Sequence, residues 1–223
     1  MRTEVLKRWG GIYMDEDIYV LKDLSDLRYS GFHNVVGKEW HGLINNGMIL
    51  SVPESELITA FNALQDRVFD GGWSTHGVEL LSRIVSQFAM REYQVLILEQ
   101  SAFFPLDWDK GIDVLYKMHE DDGGPEPETP LENADPFNVT TFIQSFQYGK
   151  PRASWHYDWR TSYAVHGWNH NLWETRNLFG KYGRGVRGIT LGYVLERNSN
   201  FARAVYPAVK HALENGVIKI SSL

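Results

Sequence analysis

The sequence has no cysteine among its 223 residues, which excludes disulfide bonds, thiolate metal sites and a cysteine nucleophile. Basic residues are few: 22 Lys and Arg stand against 28 Asp and Glu, and the net charge is −6. This balance offers no broad basic surface to a phosphate backbone, so we expect no nucleic-acid partner. The chain also lacks a run of about 18 apolar residues, which predicts no membrane span within it.

The composition that is present, 43% hydrophobic and 13% aromatic, is typical of a folded domain with a core. Residues 1–9 carry apolar side chains at helical spacing, and Gly10-Gly11 ends this predicted helix before a strand that begins "IYMDED". The segment "NNGMILSVP" then predicts a strand that ends at Pro53.

Helices and strands continue to alternate after Pro53. The segment "ESELITAFNALQDRVF" predicts a helix whose apolar face carries Leu57, Phe61, Leu64 and Val68. The segment "GVELLSRIVSQFAM" predicts a second amphipathic helix after Gly71-Gly72, and "YQVLIL" a short strand. This order predicts an α/β fold.

The second half of the chain changes in character. Residues 119–136 are rich in acidic residues, Pro and Gly, which predicts an exposed, flexible loop; a solvated insert is favoured over an acidic binding site. The tail "NFARAVYPAVKHALENGVIKI" predicts a closing helix that Pro207 starts or kinks.

An acidic triplet, Asp15-Glu16-Asp17, interrupts the apolar segment "GGIYMDEDIYVL". In an extended strand Asp15 and Asp17 point to the same side, about 7 Å apart. Two carboxylates at the edge of a core repel each other and lose solvation, which a divalent cation relieves. Mg²⁺ or Mn²⁺ held in this way keeps positions open for phosphate oxygens, so the pair predicts a metal site that binds a diphosphate ligand.

An exposed β-turn, in which the acidic side chains are simply solvated, is the alternative interpretation of the triplet. Gly10-Gly11 and the apolar residues on both sides favour a central strand of a sheet. Asp15 and Asp17 would then lie at its carboxyl end, where ligands bind in open α/β sheets.

The segment "MRTEVLKRWGGIYMDEDIYVLKDL" resembles the DXD sugar-binding signature of family 32 glycosyltransferases. The matching positions are Arg2, Leu6, Gly10, Gly11, Tyr13, Asp15, Asp17, Leu21 and Lys22. Weaker resemblance to fungal members extends through "LINNGMILSVP", "WSTHGVELLSRI", "SAFFPLDWD" and "YAVHGWNHNLW". Together these segments span most of residues 1–175.

The resemblance implies a GT-A-like (Rossmann-like) fold, a mixed sheet flanked by helices. Residues 1–223 would be a single glycosyltransferase domain, the C-terminal portion of that fold, without its N-terminal βαβ part. The implied activity is retaining, Mn²⁺- or Mg²⁺-dependent transfer of a sugar from a UDP- or GDP-sugar to a glycan or glycolipid. Fungal relatives are Golgi enzymes, and Asn138-Val139-Thr140 is a glycosylation acceptor compatible with a lumenal location.

The resemblance also implies roles for individual residues. Asp15 and Asp17 form the implied catalytic pair. Asp15 would contact the donor and Asp17 would bind the metal ion, and Asp15 is a second candidate ligand of that ion. Arg2 corresponds to the arginine near the donor sugar, and Asn46 to a polar residue that faces it. Tyr13 joins this donor-binding set.

The segment "HGWNHNLW" brings His166, Trp168, His170 and Trp173 together in a predicted loop. A packed aromatic corner with satisfied histidines is one interpretation of it. By its resemblance to the family's late His-x-Trp element, His166 completes the metal shell or contacts the diphosphate, and Trp168 stacks on a ring. His76 is a weaker candidate.

The sequence leaves two other functions open. The first is a truncated, non-catalytic remnant that binds sugar or metal. The second is a glycoside hydrolase that uses Asp15 and Asp17 as its acid and base. The two-residue spacing disfavours the hydrolase, because a hydrolytic pair must flank the bond from opposite sides.

Overall fold

The structure is a computed structural model that describes residues 2–121, 153–168 and 189–219. The chain divides into two compact units. Unit 1 comprises Met1–Trp108 and Ser162–Asn169, and unit 2 comprises Asp109–Thr161 and His170–Leu223. In the described ranges, no helix has both the length and the apolar character that crossing a bilayer requires.

Unit 1 carries the two sheets found among the described residues. Its helices are α1 (Arg2–Trp9), α2 (Ser25–Arg28), α3 (Glu56–Val68), α4 (Leu80–Phe88) and α5 (Gln100–Phe103). Its strands are β1 (Gly11–Met14), β2 (Ile18–Val20), β3 (Asn34–Lys38), β4 (Ile44–Ser51), β5 (Val95–Leu98) and β6 (Ala164–His166). A 3-10 turn, Trp40–Gly42, lies between β3 and β4, and a π-helical turn, Thr75–Glu79, leads into α4.

The main sheet is mixed and has the strand order β1-β4-β3-β5. Strand β4 pairs antiparallel with β1 and β3, whereas β3 and β5 are parallel. Strands β2 and β6 form a separate antiparallel pair. The predicted α/β class, a mixed sheet flanked by helices, is confirmed.

Apolar side chains cover both faces of the main sheet. Val36 and Ile49 belong to a buried cluster with side chains of α1, α3 and α4. Their sequence neighbours Val35 and Leu50 belong to a second cluster with side chains of α2, α5 and β6. Because successive strand residues point to opposite faces, the sheet is enclosed between two apolar layers.

Asn34 anchors the central strand β3 to β4 and α3. Its side chain is 1% exposed, donates to the Gln94 carbonyl and accepts hydrogen bonds from Ser51 and Ser55. Ser55 in turn caps α3 by accepting from the amide of Ile58. One buried amide therefore sets the spacing of three elements that enclose the core.

Most of the predicted elements of unit 1 are confirmed: α1, β4, α3, α4 and β5. Gly10 and Gly11 end α1 with positive φ values of 63° and 98°, a conformation that favours glycine. The prediction that the acidic strand is central is wrong. Strand β1 lies at the edge of the sheet, its end residues Gly11 and Met14 are exposed, and it ends before Asp15.

Unit 2, in its described part, is helical. It contains α6 (Lys110–Tyr116), a 3-10 turn (Trp159–Thr161), α7 (Leu191–Glu196) and α8 (Asn200–Glu214). Helix α8 is the predicted closing helix, but it begins at Asn200, capped by Ser199, and Pro207 lies inside it. From residue 122 onward, the predicted loop 119–136 lies outside the described residues.

Candidate metal site

The acidic triplet forms a turn directly after β1. The amide of Ile18 donates to the carbonyl of Asp15 over 3.1 Å, which closes a turn of four residues. Asp17 is nevertheless only 8% exposed. The alternative interpretation, an exposed β-turn, is therefore correct for the backbone. It is wrong for the solvation of Asp17, because the turn buries this side chain.

His166 reaches this turn through the small sheet. Strand β6 pairs with β2 so that His166 lies opposite Ile18. The amide of Gly167 donates to the carbonyl of Asp17 over 2.7 Å, and His166 Nε2 lies 3.1 Å from Asp17 Oδ1. Ligand atoms of Asp15, Asp17 and His166 all lie within 4.8 Å of one another.

Aromatic side chains enclose the His166 imidazole. The rings of Phe104 and Trp168 meet it edge to face, with centroids 5.9 Å and 3.9 Å away. The indole N–H of Trp168 donates to the Leu106 carbonyl. Within the described part of the chain, buried His166 Nδ1 has no hydrogen-bond partner. The described part of the segment "HGWNHNLW", residues 166–168, is therefore an aromatic corner, but His166 is not fully satisfied.

Tyr13 and Arg2 orient Asp15. The Tyr13 hydroxyl donates to Asp15 Oδ1 over 2.5 Å, and an Arg2 guanidinium nitrogen lies 3.2 Å from the same oxygen. Burial, and secondly the hydrogen bond to Asp15, raises the pKa of Tyr13 to about 12, so the hydroxyl is a donor at neutral pH. Arg2 also lies over the Tyr13 ring, 4.9 Å from its centroid.

Asn46 lies in a bulge of β4, beside Arg2 and Asp15. Val36 of β3 pairs with Ile49, but the next residue, Gly37, pairs with Asn45. Bulges of this kind are frequent next to functional sites. The Asn46 carbonyl accepts a hydrogen bond of 3.0 Å from Arg2, so the guanidinium bridges β4 and Asp15.

His76 belongs to a different part of unit 1. It lies in the π-helical turn, its ring meets Phe69 edge to face at 4.9 Å, and its Nδ1 is buried. Of the described residues, only Asp15, Asp17 and His166 form a cluster suited to a metal ion. His170, Trp173 and Asn138 lie outside the described residues.

Sequence reasoning missed two residues beside the cluster, Glu39 and Asn45. Asn45 Nδ2 donates to Glu39 Oε2 over 2.5 Å, and Asn45 Oδ1 accepts from the Gly47 amide over 2.6 Å. Burial raises the pKa of the Glu39 carboxyl above its usual value, whereas the hydrogen bond from Asn45 lowers it. Glu39 directly follows β3, so recognising that strand would have placed it at a strand end.

The donor set suits a divalent cation. Carboxylate oxygens bind Mg²⁺, Ca²⁺ and Mn²⁺, and imidazole nitrogen binds transition metals. Two buried groups, Asp17 and His166, are already aligned by the small sheet, and Asp15 is fixed by Tyr13 and Arg2. The types of the three residues and the spacing of their ligand atoms, all within 4.8 Å, therefore fit a metal ion.

Comparisons with known proteins find relatives at low identity. The chain is 27% identical over 144 residues to lactosylceramide 4-alpha-galactosyltransferase of Rattus norvegicus, which covers 60% of this chain and 37% of that protein. It is 33% identical over 132 residues to glucan organizing enzyme 1 of Cryptococcus neoformans var. grubii serotype A, covering 54% of this chain and 34% of that protein.

A third relative matches over a longer region. The chain is 25% identical over 186 residues to lactosylceramide 4-alpha-galactosyltransferase of Pongo pygmaeus, covering 78% of this chain and 67% of that protein. The matches to the first two relatives span little more than a third of their length. No protein-family model matches the chain, and no solved structure matches it. The chain is thus similar to proteins named as galactosyltransferases.

Proposed function

We propose that the chain is a metal-dependent, retaining glycosyltransferase with a GT-A fold. It would transfer a sugar from a UDP- or GDP-sugar to a glycan or glycolipid. The observation that carries the proposal is the buried cluster of Asp15, Asp17 and His166 in a chain similar to galactosyltransferases. That similarity supports glycosyl transfer in general, and the cluster supports the dependence on metal.

Asp15, Asp17 and His166 would hold the ion, and Mn²⁺ suits them better than Mg²⁺ because one ligand is an imidazole. The bound ion would supply positive charge that stabilises the departing nucleoside diphosphate. The protein's contribution is rigidity: Asp17 and His166 are held by backbone hydrogen bonds between β2, β6 and the turn. Rigid ligands lose little conformational freedom when they bind.

Arg2, Tyr13 and Asn46 would form the donor side of the site. The Arg2 side chain is 34% exposed, so its guanidinium can reach a ligand while it stays bonded to Asp15. Tyr13 has its hydroxyl engaged by Asp15 and offers its ring. Asn46 has its carbonyl engaged by Arg2, which leaves the side-chain amide as the group that would face the sugar.

Trp168 would complete the site from the side of His166. Its indole N–H is already bonded to Leu106, so any contact with the donor would use the ring and not the polar atom. We extend the proposal to the whole chain: residues 1–223 form one glycosyltransferase domain, from an enzyme of the Golgi lumen.

Nucleotide-sugar turnover tests this proposal. Wild-type protein is incubated with a panel of UDP- and GDP-sugars, with and without Mn²⁺, and the release of nucleoside diphosphate is measured. We expect Mn²⁺-dependent release from at least one donor, and loss of that release in Asp17→Asn, which keeps the shape of the side chain but not its charge. Asp66→Asn, an exposed position on α3, is the matched control.

The outcomes separate the proposal from its rivals. Binding of donor and Mn²⁺ without any release would indicate the non-catalytic remnant. Release that is the same with and without Mn²⁺, or that survives Asp17→Asn, would contradict metal-dependent transfer.

A further inference from the structure

Glu39 differs from the surface carboxylates of unit 1. Glu56 and Glu99 are exposed and form ion pairs with Arg91 and Lys38. Glu39 is half-buried, and no Lys or Arg of the described ranges pairs with it. Its hydrogen bond comes instead from Asn45, a neutral side chain that is 7% exposed.

This carboxylate fixes the orientation of the Asn45 amide. The Glu39 oxygen accepts from Asn45 Nδ2, so the NH₂ group of Asn45 faces Glu39. The carbonyl oxygen of the same amide must then face the opposite way, where it accepts from the Gly47 amide over 2.6 Å. The Gly47 carbonyl accepts from the Asp15 amide over 2.8 Å. Three consecutive hydrogen bonds thus connect Glu39 to Asp15.

This series of hydrogen bonds crosses the part of β4 that does not pair with β3. Because Gly37 pairs with Asn45 and Val36 with Ile49, Gly47 lies in the bulge, and the Asn45 side chain supplies the acceptor for its amide. At Gly47 the Asn45 and Asp15 side chains leave no room for a side chain. A Cβ on Gly47 would lie 2.9 Å from both Asn45 Oδ1 and Asp15 Oδ2.

We propose that Glu39 is a positioning residue for the metal site: through Asn45 and Gly47 it holds the backbone of Asp15 where the carboxylate can bind the ion. This inference rests on the proposed function, because it assumes that Asp15 is a metal ligand. Groups outside the ligand shell commonly control affinity in this way, and their removal costs about 10- to 100-fold in metal binding.

Two substitutions separate positioning from charge. Glu39→Leu removes the acceptor, whereas Glu39→Gln keeps an acceptor oxygen for Asn45 and removes the charge. Glu56→Gln, which removes an exposed carboxylate beyond the other end of β4, is the matched control. All proteins are compared as the full chain.

The first measurement is amide hydrogen exchange by NMR without metal. We expect the Gly47 and Asp15 amides to exchange about tenfold faster in Glu39→Leu than in wild type, and to stay protected in Glu39→Gln and Glu56→Gln. The second measurement is Mn²⁺ affinity from the EPR signal of the free ion. We expect affinity to fall about tenfold or more in Glu39→Leu and clearly less in Glu39→Gln.

The outcomes distinguish this inference from the proposed function. A wild-type protein that binds no Mn²⁺ overturns the proposed function. If wild type binds Mn²⁺ and Glu39→Leu binds it equally well, or if the Gly47 amide keeps its protection in Glu39→Leu, only the inference about Glu39 is overturned. Equal losses in Glu39→Leu and Glu39→Gln would also overturn it, because charge and not position would then control affinity.

Discussion

His166 Nε2 lies 3.1 Å from Asp17 Oδ1, although the two residues are far apart in the chain, and both are 8% exposed. The contact depends on the pairing of β2 with β6, which places His166 opposite Ile18, the residue that follows Asp17. Burying a carboxylate is costly unless it is paired. The small sheet therefore maintains a buried polar pair that a divalent cation can join.

Removal of the His166 imidazole tests whether it is a ligand. In pulsed EPR of bound Mn²⁺, we expect nitrogen hyperfine coupling in wild type and none in His166→Gln, because this imidazole is the candidate nitrogen donor. His33→Gln, a change at an exposed histidine of the same unit, should keep the coupling. Bound Mn²⁺ in wild type that shows no nitrogen coupling would remove His166 from the ligand set.

Gly47→Ala tests how closely β4 must approach the turn. The added methyl carbon would lie 2.9 Å from Asn45 Oδ1 and Asp15 Oδ2, so at least one of these side chains must move. We expect Mn²⁺ affinity to fall by about tenfold, a loss comparable to that from disturbing an outer-shell partner.

Gly192→Ala is the control for this substitution. Gly192 lies in α7, and among the described residues a Cβ there would meet only Thr190 Oγ1, at an ordinary distance of 3.8 Å. We expect it to leave Mn²⁺ affinity unchanged. If Gly47→Ala binds Mn²⁺ as tightly as Gly192→Ala, the close approach of β4 to Asp15 is not required for the site.

The raised pKa of Tyr13 predicts a pH dependence of stability. Its folded-state pKa is about 12 and its ordinary value is 10.0, so between these values the folded state binds more protons than the unfolded state. The contribution of Tyr13 to the free energy of unfolding is then fully present below about pH 10 and declines as the pH rises towards 12. We expect Tyr13→Phe to lose less stability over this range than wild type.

Urea unfolding at several pH values across this range measures the effect. Tyr193, buried in unit 2, also has its pKa raised to about 12 by burial, so part of the decline should persist in Tyr13→Phe. An identical decline in wild type and Tyr13→Phe would show that burial and the hydrogen bond to Asp15 do not raise the pKa of Tyr13 in the folded state.

The sequence predicts much of the fold because several elements show a clear local pattern. Helices α3 and α4 carry apolar residues at helical spacing, and Gly10-Gly11 marks the end of α1. Strand β3 has no such signal: it is short, and Val35 and Val36 are buried against opposite faces, so no alternation of polar and apolar residues shows.

The acidic pair is predictable from its residue types, but its geometry is not. Asp15 and Asp17 suggest a metal site because they are two neighbouring carboxylates. In the predicted strand they would lie about 7 Å apart. In the structure a turn brings their oxygens near His166. The partners of the pair depend on contacts between distant segments. Neither the β2–β6 pairing nor the bond from Asn45 to Glu39 can be read from spacing along the chain.

Stabilisation by Mn²⁺ tests the central claim most directly. A ligand that binds only the folded state, present at about 100 times its Kd, raises the free energy of unfolding by about 2.7 kcal/mol. We expect urea unfolding to show a gain of this size for wild type and for Asp66→Asn, and none for Asp17→Asn. An Asp17→Asn protein that gains as much as wild type, or a wild type that gains nothing, would contradict the metal site formed by Asp15, Asp17 and His166.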